Sequence, residues 1–192
     1  MVAQFINALE RPISRVRLEN YRPPGASDLD MVTNYFFNLE LSEALYPTLQ
    51  AFEIALRNSI HLALSSRANS AFWFDEPGFL PQRQVNEISG ARQKLASEGK
   101  PATSDRIIAE LKLGFWHSLF NTPFERNLWR PNRSAMILEV FPQISARDRS
   151  RQTVWDRCNR IRILRNRVMH YEPIWTRPQL VRDHAEILET LY

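Results

Sequence analysis

The sequence predicts an all-α protein, a single helical-bundle domain of about six or seven helices. Three observations carry this. Only five glycines occur in 192 residues, and the apolar/polar alternation of a half-buried strand is nearly absent. Apolar residues recur instead at three- and four-residue spacing through most of the chain. Several of these runs open on a Ser, Thr or Asp capping pattern or on a proline that a first helical turn tolerates.

Residues 1–26 end in the breaker cluster Tyr21-Arg22-Pro23-Pro24-Gly25 and are expected to form an arm outside the core, leaving 27–192 as the domain. Ser27-Asp28-Leu29-Asp30 reads as a capping box, followed by Leu29, Val32, Phe36 and Leu39 at helical spacing. A longer helix is expected from Glu43 to Ser66, with Leu45, Leu49, Phe52, Leu56 and Ala63 along one face and Pro47 in its first turns. After an aromatic and proline-rich loop from Phe72 to Pro81, a helix carries Val85, Ile88 and Leu95 and closes at Gly99. Thr103-Ser104-Asp105 caps another, running through Ile107, Leu111, Phe115 and Leu119. A short helix spans Asn132 to Val140. Ser145-Ala146-Arg147-Asp148 opens a long one toward His170, and Thr176-Arg177-Pro178-Gln179 starts the last.

A hydrophobic share of 44% fits a globular chain rather than a disordered one. The lone cysteine, Cys158, excludes an internal disulfide framework and points to a reducing compartment. No apolar run approaches a membrane span, and Met1 to Tyr21 holds no apolar h-region, so the expected location is the cytoplasm with no membrane partner. The net charge of +4 is unevenly placed. Residues 1–144 hold fifteen Lys+Arg and fifteen Asp+Glu, so all of the excess lies in 145–192. Arg147 to Arg167 carries eight arginines against Asp148 and Asp156, and arginines outnumber lysines twenty-two to three. Guanidinium groups pair with phosphate bidentately, so this stretch suits a nucleic acid, although a solvated face in an arginine-rich composition reads the same way.

On a helical projection with Cys158 at zero, Val154, Trp155, Ile161, Val168 and Met169 fall within about 80° and define an apolar arc. Arg165 falls at about −20°, inside that arc, while Asn166 and His170 lie at roughly 80° and 120°, on its edge. A guanidinium there requires a carboxylate, carbonyls or an anion. Pro173 disfavours the helical conformation at Glu172, which places His170 in the last turn, where imidazole chemistry near neutral pH is available. Spacing alone is not diagnostic, since an Arg-x4-His pair arises roughly 0.45 times by chance in such a composition. A structural Arg165 paired with a buried acid, with a surface His170 finishing the helix, satisfies the same pattern.

Among other candidates, Glu53 and Arg57 read as a surface ion-pair row with His61 one step further round. His117, among Phe115, Trp116, Leu119 and Phe120, reads as a packed histidine, and His184 as a surface one. The Phe72-Trp73-Phe74 cluster suits a core under a loop better than base stacking. No Cys/His spacing fits zinc, and HExxH, GxSxG and glycine-rich phosphate loops are absent, so no cofactor is expected.

The string from Ile161 through Arg165-Asn166-Arg167-Val168-Met169-His170-Tyr171-Glu172-Pro173 to Ile174 resembles the signature of the Abi-like family of bacterial abortive-infection proteins. Further pieces are similar in the same order: Glu43 to Pro47, Phe52 to Asn58, Phe72 to Phe74, Ala109 to Trp116, and Leu128 to Pro131. The resemblance spans about Leu29 to Trp175. It implies the HEPN superfamily of helical proteins, many of them metal-independent RNA endonucleases, and hence an HEPN-like bundle with a toxin-like role in phage defence. In the implied chemistry the RNA 2′-OH attacks the adjacent phosphate, with His170 as general acid or base, Arg165 stabilising the phosphorane and Asn166 completing the motif. Arg57, Arg160, Arg162 and Arg167 would bind RNA, with Glu53, Asn58, Tyr171 and Glu172 supporting them. Tyr171 stands where the family often has a second histidine. The implied partners are RNA, a second copy sharing the active-site cleft, and an antitoxin. The alternative is a non-catalytic RNA-binding or protein-interaction module on the same fold.

Overall fold

Ser27 and Asp30 close a capping box: the Ser27 hydroxyl accepts from the Asp30 N–H at 3.2 Å, and the Asp30 carboxylate accepts from the Ser27 N–H at 2.9 Å. The helix they start is the spine of the molecule. The computed structural model describes residues 2–129 and 133–191. Among them all regular structure is helical: α1 (Val2–Ile13), α2 (Arg15–Glu19), α3 (Asp28–Ala68), α4 (Gln82–Ser97), α5 (Ser104–Glu110), α6 (Leu113–Ser118), α7 (Arg133–Val140), α8 (Arg151–Met169) and α9 (Leu180–Leu191). None of these helices is long and apolar enough to cross a membrane.

The two helices expected on either side of Glu43 are one, the 41 residues of α3. Glu40-Leu41-Ser42 holds nothing that stops a helix, so Pro47 falls in the interior, not in a first turn. It removes one backbone hydrogen bond there. Burial of Leu45 and Leu49 on either side of it holds the helix together. Conversely, the helix expected from Ser104 to Leu119 breaks into α5 and α6. Leu111 and Lys112 are extended, with ψ of 130° and 158°. Extended backbone puts residues two apart on one face, and so buries both Leu111 and Leu113. The Ser145–Asp148 pattern closes only a 3₁₀ turn, in which the Ser145 hydroxyl donates to the Asp148 carboxylate at 2.8 Å. Ser150 is the working N-cap of α8, accepting from the Thr153 N–H at 3.0 Å. α9 begins at Leu180 rather than at Thr176, and α7 begins at Arg133, its expected start at Asn132 lying outside the described residues.

The main core gathers around α3, with Trp73, Trp116, Trp129, Phe52, Phe115 and Phe120 fully buried in it. A second, smaller core joins Ile6, Leu18 and Tyr21 to Met31 and Val32 at the start of α3. The first twenty-six residues are thus more than an arm. Their apolar residues at helical spacing build α1 and α2, which pack on α3 despite the breakers that follow them.

Candidate active site at the end of helix α8

Helix α8 buries Val154, Cys158, Ile161, Leu164 and Val168. This stripe is centred roughly 60° from Cys158, so Trp155 and Met169 lie at its margins and Leu164, outside the expected arc, lies within it. Arg165 still emerges inside the stripe, and what compensates it is Glu53 of α3. Nε of Arg165 donates to Glu53 Oε2 at 3.0 Å, and Nη2 stands 3.0 Å from the same oxygen as an ion-pair contact. Among the described residues Nη1 meets only the amide oxygen of Asn166, at 3.5 Å. The Arg165 side chain is 26% exposed and that of Glu53 24%, so the pair is about three-quarters shielded and one edge of the guanidinium stays open. The expected Glu53–Arg57 surface pair does not form. Arg57 Nε donates instead to its neighbour Asn58 at 3.0 Å.

His170 is the C-cap of α8, and it is exposed. Among the described residues its ring has no hydrogen-bond or ion-pair partner, and none joins it to Arg165 or Asn166. The helix ends in a Schellman motif: the Tyr171 N–H bonds the Val168 carbonyl at 3.1 Å and the Glu172 N–H bonds the Arg167 carbonyl at 2.8 Å. Tyr171 takes the left-handed conformation, φ 57°, that such an end requires and that glycine ordinarily supplies. Just beyond, buried Asn38 accepts from the backbone N–H groups of Ile174 and Trp175 at 2.6 and 3.2 Å.

Much of the positive charge of α8 is neutralised within the fold. Arg160 pairs with Glu186 of α9, Arg167 with Glu172 at 3.3 Å, and Arg157 with Asp148 and Glu186 at 3.4 and 3.6 Å. Of the arginines expected to bind RNA, Arg57 and Arg162 meet only neutral amide oxygens among the described residues, the latter that of Asn159 at 2.8 Å.

His117 is packed as expected, its ring 5.3 Å from that of Trp155. Burial and the nearby Arg162 charge push its pKa down to about 4, against a weaker opposing hydrogen bond with the Trp155 backbone. His61 faces inward rather than along a surface row: the Trp73 indole N–H donates to its Nδ1 at 3.1 Å, and burial lowers its pKa. Trp73 and Phe74 are core, while Phe72 remains partly exposed. His184 is half-buried, its Nε2 3.4 Å from the Thr48 hydroxyl. Several concavities flank α3. An apolar cavity of about 380 Å³, lined by Phe52, Leu56, Phe141, Val154 and Cys158, contains none of the motif residues. A cleft of about 440 Å³ holds Arg57, Asn58, His61 and Asp105, starting one helical turn along α3 from Glu53. Among the described residues no group of three or more His, Cys, Asp or Glu is placed to hold a metal ion.

Sequence reasoning missed Asn38 as a neighbour of the site, and also Arg17 and Tyr21, which both donate to the Tyr171 carbonyl. A polar Asn38 between Phe37 and Leu39 was a usable signal, whereas nothing local marks Arg17 or Tyr21. Comparison with protein-family models, curated proteins and solved structures finds no match to this chain.

Proposed function

We propose that the chain is a metal-independent RNA endonuclease that cleaves by 2′-OH transesterification, acting as a toxin-like effector in phage defence. The observation that carries this reading is an exposed imidazole at the end of α8, without a partner among the described residues, one turn beyond an arginine oriented by a carboxylate. His170 would move the proton, as general acid or base. Arg165, steered by Glu53, would offer its open Nη1 edge to a phosphate oxygen, with Asn166 beside it. Arg57 and Arg162, which lack carboxylate partners among the described residues, suit the flanking phosphates. Arg160 and Arg167 would first have to leave Glu186 and Glu172.

In-line displacement benefits from both a base and an acid, and one chain offers a single motif histidine. A symmetric homodimer across the α8 ends would supply the second imidazole. The Arg165–Glu53 pair also favours a second reading, a non-catalytic RNA-binding or protein-interaction module of HEPN-like fold, in which that pair is structural.

The test is made on purified protein whose mass has been read by light scattering, twice 22.5 kDa being expected. Cleavage of total RNA should persist in EDTA and leave 2′,3′-cyclic phosphate and 5′-OH ends. Loss of cleavage in chelator, restored by magnesium, or 5′-phosphate products would refute the mechanism. Binding of RNA without cleavage would select the second reading.

A further inference from the structure

We propose that α2 and the turn after it position His170: Arg17 and Tyr21 clamp the Tyr171 carbonyl and so fix the backbone that ends α8. Arg17 Nη2 donates to the Tyr171 carbonyl at 2.9 Å, and the Tyr21 hydroxyl donates to the same oxygen at 3.3 Å. The Arg17 guanidinium also stands 5.8 Å from the centre of the Tyr171 ring. These partners lie more than 140 residues upstream and act at one backbone atom, beside the left-handed Tyr171.

A bulky L-residue disfavours that conformation because its Cβ crowds the following carbonyl. Tyrosine keeps it here because both lone pairs of its carbonyl have donors delivered by a folded element. The donors are themselves held. Leu18 and Tyr21 are buried in the small core with Met31 and Val32, and the Tyr21 ring packs edge-on to Tyr35 at 5.2 Å. On the far side Asn38 takes the N–H groups of Ile174 and Trp175, and Trp175 packs on the same small core. The residue after His170 is therefore anchored from the N-terminal segment, while the imidazole itself has no partner among the described residues. Only the role given to His170 rests on the ribonuclease reading. The backbone clamp is a separate claim and has its own readout.

The experiment uses the full chain with ¹³C-labelled histidine. In the Arg17→Ala/Tyr21→Phe double variant the His170 ring signal should shift and broaden, while the signals of the buried His117 and the half-buried His61 keep their positions. Adding Tyr171→Gly should restore the His170 signal, because glycine adopts the left-handed conformation without the clamp. In the activity arm, kcat on RNA should fall about 10- to 100-fold at unchanged KM and recover with the glycine. If the double variant loses its fold, Tyr21→Phe alone keeps the ring in its core and removes one donor, and a smaller His170 shift is then expected. An unchanged His170 signal, or a change that Tyr171→Gly does not reverse, overturns the clamp. A wild-type chain that cleaves no RNA refutes the ribonuclease reading, and the histidine signals still decide the clamp.

Discussion

Arg165 and His170 stand five residues apart at the end of α8, and the fold treats them in opposite ways. Arg165 emerges within the buried stripe, three-quarters shielded, with Nε and Nη2 on Glu53. His170 caps the helix, exposed, with no side-chain partner among the described residues. An inward charge is tied into the packing, so removing it disturbs fold and chemistry together. An outward imidazole contributes little to packing, so whatever it does is separable from stability. That difference decides which substitution can test a function cleanly.

The inward side of α8 should show the largest energetic effects. His117 lies against Trp155 with a pKa of about 4, below its ordinary value of 6.5. Between those two values the unfolded chain binds the proton and the folded chain does not. The resulting stability is present above pH 6.5 and is lost as the pH falls toward 4, by about 3 kcal/mol in all. Urea unfolding between pH 7 and pH 4 should show this loss, and His117→Asn should flatten that part of the profile. A variant with the wild-type slope would mean that His117 protonates without cost.

Next in size is the Arg165–Glu53 pair. Arg165→Ala leaves a half-buried carboxylate alone and should cost about 2 kcal/mol, less than a fully buried pair because both side chains keep some exposure. Glu53→Ala should cost a similar amount, and the double variant distinctly less than the sum. Additive losses would show that the two groups are not coupled, and would remove the steering role given to Glu53.

Legibility divides along the same line. The outward facts were local and could be read: the Ser27–Asp30 capping box, and the helix end before Pro173 that leaves His170 at the close of α8. That Arg165 needed compensation also followed from helical spacing, since its angle placed it among apolar neighbours. Its partner did not, because Glu53 is 112 residues away and equally suited to Arg57 by i, i+4 geometry. The continuity of α3 through Pro47 and the break at Leu111–Lys112 were settled by burial on both sides, which outweighs local propensity. Asn38, Arg17 and Tyr21 act on backbone atoms of the 171–175 segment; only Asn38, polar between Phe37 and Leu39, left a local signal, and its partners lie 136 and 137 residues away.

The smallest structural change and the largest functional one should coincide in His170→Ala. The variant's urea-unfolding free energy should stay within about 0.5 kcal/mol of wild type. Its rate of RNA cleavage, measured on the same preparation, should fall by about 100-fold or more, the scale of a lost proton-transfer group. Cleavage at the wild-type rate by a folded His170→Ala protein would contradict the account at its centre.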